Sequence, residues 1–106
     1  MIEAKFLTED KRYIGFSVSG HALFDEKGAD IVCASVTSAV QLTANSITEL
    51  FGIKADISVE KEQIKLMISC KDTEIGFKLI ESLKLHLSLL SEDYKGTIKV
   101  ITMEVN

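Results

Sequence analysis

Over the first twenty positions, apolar and polar residues alternate with a period of two. "IEAKFL" and "RYIGFSVSG" therefore predict two strands, the second setting Ile14, Phe16 and Val18 against Tyr13, Gly15 and Ser17, with a hairpin turn around "TEDK". A long loop is expected from about Ser19 to Ala29. The period then lengthens. Val32, Val36, Ala39, Val40, Thr43, Ile47 and Leu50 recur at helical spacing and predict a helix from Asp30 to about Phe51, stopped by Gly52. "IKADISVE" and "QIKLMISC" predict two more strands joined by a short polar turn at Glu60 to Glu62. "DTEIGFKLIESLKLHLSLLSEDY" predicts a second helix with Ile80, Leu83, Leu87 and Leu90 as its core stripe, and "GTIKVITMEV" a last strand. The order ββαββαβ implies an α+β fold, with two helices packed on a mostly antiparallel five-stranded sheet.

Length and composition narrow the function classes. The 106 residues suit a single domain, 1–106, with one core. The net charge of -4 argues against direct nucleic-acid binding, which needs a basic face, and is compatible with a basic peptide partner. No run reads as a membrane span and "MIEAKFLTED" has no secretory signal pattern, so no membrane association is expected. Two cysteines, Cys33 and Cys70, make no disulfide framework, and a reduced, cytoplasmic setting is the expectation. Two cysteines and two well-separated histidines lack metal-ligand spacing, so no metal is expected.

The chemistry concentrates in "GHALFDEKGADIVCASV", Gly20 to Val36. Asp30 suits an N-cap, its carboxylate accepting from free N–H groups of the next turn. Cys33 then falls in the first helical turn, where partial positive charge stabilises a thiolate. Cys70 lacks that placement. It continues the alternation Ile64, Leu66, Ile68 and is expected in the core at a strand end. A nucleophilic cysteine needs a base, and His21 stands across the loop. Gly20 and Gly28 are the loop's hinge positions, able to take conformations other residues avoid. The bland alternative is a small buried thiol on the flank of the helix stripe and a solvated histidine. Asp30 has two readings, a helix cap or a carboxylate orienting His21. As a mere neighbour of Cys33 it would raise the thiol pKa and oppose reactivity. His86 is expected at the boundary of the second helix's stripe. Leu85 and Leu89 point off that stripe, one turn apart, as scattered surface leucines or a dimer contact.

The same stretch closely resembles the signature of the Prp family of bacterial ribosomal-processing cysteine proteases: Gly20-His21-Ala22, a variable loop, Gly28, then Asp30-Ile31-Val32-Cys33-Ala34. Size and element order resemble that family over essentially the whole chain. The resemblance implies a cysteine endopeptidase that removes the N-terminal extension of large-subunit ribosomal protein L-twenty-seven, within an aromatic, apolar segment next to a basic tail. It implies His21 and Cys33 as the catalytic pair, no cofactor, a homodimer, and a loop between His21 and Cys33 that acts as a mobile cover. The rival from another class is a non-catalytic, ribosome-associated binding module whose cysteine is structural.

Overall fold

The computed structural model describes residues 1–20, 29–70 and 72–105, without the side chains of Ala29 and Asp30. Strands β1 (Ile2–Glu9) and β2 (Arg12–Ser19) form the first hairpin. Helix α1 (Ala29–Asn45) follows and runs into a π-helical turn, Ser46–Leu50. Strands β3 (Ala55–Glu60) and β4 (Gln63–Ile68) form a second hairpin, then come helix α2 (Glu74–Asp93) and strand β5 (Ile98–Glu104). The sheet order is β3-β4-β2-β1-β5, antiparallel except for the parallel β1–β5 pair, so the expected α+β architecture holds. A helix precedes β5, which frees that strand to enter parallel to β1.

One face of the sheet carries the core. Ile2, Ala4 and Phe6 of β1, Phe16 and Val18 of β2, Leu66 of β4 and Ile98 of β5 are buried there. Phe6 and Phe16 stand opposite each other in the register, with ring centroids 6.4 Å apart. Val32, Val36, Val40 and Ala44 of α1, Ile47 of the π turn, and Ile80, Leu83 and Leu87 of α2 complete the same cluster. Each fully buried valine or leucine contributes roughly 1.5–3 kcal/mol relative to exposure.

Four features depart from the sequence expectations. In β2 the register slips after Leu7, which faces Gly15, while Thr8 faces Tyr13. Ile14 is therefore the extra residue of a bulge, and the alternation reverses around it. Tyr13, not Ile14, packs against the core, and its hydroxyl lies 3.1 Å from Lys84 Nζ on α2. The second departure is Leu50, expected in the stripe but 75% exposed. Phe51 N–H donates to Ser46 O, a five-residue closure. This wider turn advances less per residue, so Leu50 swings off the face that Ile47 occupies. Gly52 then ends the segment at φ +61, as a terminating glycine should. The third is Cys70, which is exposed rather than core because β4 ends at Ile68. The fourth concerns Ile31–Leu50, which is long and apolar enough, at mean hydropathy 1.2, to cross a membrane by length and composition. Its buried stripe instead rests on the sheet.

Gly15 has no room for a side chain. A Cβ there would stand 2.3 Å from Met67 Sδ and 2.6 Å from Leu66 O across the β2–β4 pairing. The backbone oxygen cannot rotate away. Gly15→Ala is expected to destabilise the domain by about 1–3 kcal/mol in urea denaturation, the usual scale of overpacking; an unchanged midpoint would contradict this close approach.

Candidate active site

Cys33 is placed by the packing of α1. Val32, Val36 and Val40 are buried on the sheet, and Cys33, next to Val32 on the helix, is carried to the flank of that stripe, half-buried. It touches the core on one side and lines a groove on the other. The groove measures about 280 Å³. Val36, Val40 and Val18 line it from below, together with Ile2 and Ile64. Thr37 and Gln41 follow Cys33 along the helix at successive intervals of four, and Val59 to Gln63 of the second hairpin form the opposite wall.

The residues before Ala29 lie outside the described ones, and from Ala29 onward the backbone is helical. Asp30 therefore lies within the described helix, after Ala29, whereas the sequence predicts it as the cap. Four helical residues, Ala29 to Val32, precede Cys33, so its own N–H belongs to the helical ladder. Residues 29 to 31 form the turn ahead of it, on the N-terminal side of the helix. A helical Cα–Cβ bond tilts toward the N-terminus, so the Cys33 thiol leans toward that turn. An acidic residue in this turn suits the positive, N-terminal side of the helix dipole.

Gly20 sits at the end of β2 with φ +88, where only glycine is comfortable, and its N–H donates to Glu62 O at 3.0 Å. A Cβ would come within 2.6 Å of Met1 O. Gly20 lines the same groove as Cys33, and the chain continues from it directly into His21. His21, Gly28 and the expected moving cover lie outside the described residues, as does the Asp30 side chain. Among the described residues, no group of three or more His, Cys, Asp or Glu could hold a metal ion. His86 is exposed on α2 and lines a different cleft from Cys33, with Ser35 and Ser38 of α1. The hairpin residues Val59 to Gln63 were not visible as part of a site in the sequence. Their only signal was alternation that continues into a strand edge.

The family model for cysteine protease Prp matches residues 1–99 of the chain. The ribosomal processing cysteine protease Prp of Bacillus subtilis (strain 168) is 28% identical over 101 residues, covering 90% of each chain. Among solved structures, a Streptococcus mutans protein matches with TM-score 0.87 at 23% identity, over 99% of each chain. The essential ribosomal processing protease Prp from S. aureus, in complex with a covalently linked product peptide, also matches with TM-score 0.87. Its identity is 21%, over 97% of this chain and 100% of that one. These structural likenesses bear on the fold.

The two thiols pose a direct contrast, since Cys70 is exposed and Cys33 half-buried. Access alone favours Cys70; placement near a helix start favours Cys33. With limiting iodoacetamide near neutral pH, peptide mapping is expected to find Cys33 alkylated first in the folded protein, the order vanishing in denaturant. Faster labelling of Cys70 in the folded state would count against an activated Cys33.

Proposed function

Since the chain belongs to the Prp family of cysteine proteases, we propose that it cleaves the N-terminal extension from ribosomal protein L-twenty-seven, with Cys33 as nucleophile and His21 as acid and base. The observation that carries this reading is a half-buried thiol that lines one groove together with Gly20, the residue before His21. The Cys33 thiolate attacks the scissile carbonyl and forms a tetrahedral intermediate. Free N–H groups of the first turn of α1 are the nearest helix donors for its oxyanion. His21 protonates the departing amine, and a thioester to the extension remains on Cys33. His21 then takes a proton from water, which attacks the thioester and releases the extension as a free acid. A ribosomal substrate places the enzyme in the cytoplasm, and the chain's net charge of -4 suits a basic target.

The reading extends to a homodimer. Leu85 and Leu89 are 62% and 52% exposed on α2. They share a helical face with Ser82 and His86, which line a cleft against Ala34, Ser35 and Ser38 of α1. Exposed Leu42 closes that cleft. Small residues beside projecting leucines let a second copy approach closely. A Leu85→Glu, Leu89→Glu double variant is expected to sediment as a monomer at concentrations where the wild type is a dimer. An equally dimeric variant places the interface elsewhere.

Activity is tested with a peptide spanning the extension junction, followed by mass spectrometry. Wild type is expected to cut it once. Cys33→Ala should abolish cleavage and keep binding, and His21→Ala should slow it by about 10²–10⁴-fold, the usual share of general acid–base catalysis. Asp30→Asn discriminates two roles: an asparagine can still serve a structural, helix-capping role, so retained activity assigns Asp30 to structure, and lost activity in a folded protein assigns it to orienting the pair. Equal cleavage by wild type and Cys33→Ala would defeat the reading. Binding without any cleavage by wild type would restore the non-catalytic module.

A further inference from the structure

Val59 is 72% exposed, yet it stands on the side of the sheet that carries the core. The register shows this: Val59 pairs with Ile64, and Ile64 with Val18, which is buried in the main cluster. Val18, Ile64 and Val59 thus form one apolar row across three neighbouring strands. The helices cover only part of it. Val18 is beneath them, Ile64 is half-buried and Val59 is open, because β3 is an edge strand. An uncovered valine on the core side of a sheet, continuous with an apolar groove, calls for something to cover it.

The dimensions identify the occupant. Cys33 to Gln41 spans eight helical residues, about 12 Å. An extended chain advances about 3.3 Å per residue, so roughly three or four peptide residues fit beside this stretch of α1. The volume of about 280 Å³ is small for a whole ligand but suits side chains of a peptide whose backbone stays in solvent, given that small-molecule pockets run from about 300 to 1,000 Å³. Thr37 and Gln41, exposed on the helix wall, supply polar groups for that backbone.

We propose that Val59, with Val36 and Val40 of the same groove, forms the specificity-determining subsite, which takes an apolar side chain of the substrate a few residues from the scissile bond. The assignment rests on Cys33 as the nucleophile in this groove. Val59 acts by excluding charge and water from the substrate side chain. It takes no part in the chemistry.

The probe is the junction peptide with each of four residues on either side of the scissile bond replaced in turn by lysine. In wild type, lysine at one apolar position is expected to lower kcat/KM at least about tenfold, the scale on which apolar pockets discriminate. Val59→Glu should slow the parent peptide by about tenfold, leave the melting temperature unchanged, and cleave that one lysine peptide faster than wild type does. Parent cleavage at the wild-type rate, or uniform slowing of every peptide, overturns the proposal. Fluorescence anisotropy with Cys33→Ala and Cys33→Ala, Val59→Glu repeats the comparison without chemistry. If wild type cleaves nothing but Val59→Glu still exchanges the binding preference, the nucleophile assignment fails and the subsite stands. If neither cleavage nor binding responds to Val59→Glu, the subsite fails.

Discussion

The burial of one valine stripe governs this molecule. Val32, Val36 and Val40 of α1 lie in a single cluster with the strand residues Ile2, Ala4, Phe6, Phe16 and Val18. Helix propensity does not favour this segment, which is rich in β-branched residues and in serine and threonine. It is helical because its stripe gains more from the sheet than the backbone loses by preference. That packing sets the rotation of the helix about its own axis. Rotation decides that Cys33 falls on the flank, with one side against the core and the other facing the groove. A cysteine at the centre of the stripe would be an inert core thiol, and one on the opposite face would sit in solvent without a wall beside it.

The sheet order supplies the second half of the site. Two helices cannot roof five strands, and the strand left open is β3. Its hairpin with β4 extends beyond the cover of α1, so an apolar row continues from the core out to Val59. The first hairpin closes the arrangement. Gly20 ends β2 in a left-handed conformation, tied to Glu62 O of the second hairpin and packed against Met1. One backbone hydrogen bond thus links the segment that precedes His21 to the hairpin that walls the groove.

Much of this was legible from residue order. The two periodicities marked the strands and helices, Gly52 marked the end of the long helix, and the Gly20–Val36 stretch pointed to Cys33. The remainder depended on features that leave no local trace. The bulge at Ile14 reverses an alternation that reads cleanly in sequence, because the extra residue is defined only by pairing with β1. The π turn displaces Leu50 from a stripe it matches by spacing. Cys70 continues a strand pattern two residues past the strand's end. Val59 looks like any alternating strand valine, and its importance arises only once β3 is known to be an edge. Leu85 and Leu89, by contrast, were readable as off-stripe because α2 is regular throughout.

The central claim is that Cys33 forms a covalent bond to the substrate. Its most direct test is rapid acid quenching of the wild-type enzyme during turnover of the junction peptide, followed by intact-mass and peptide-level mass spectrometry. The account predicts a transient acyl adduct on Cys33, with the mass of the released extension less one water, that decays as product accumulates. Steady cleavage with no adduct at any time, or an adduct on another residue, would contradict it.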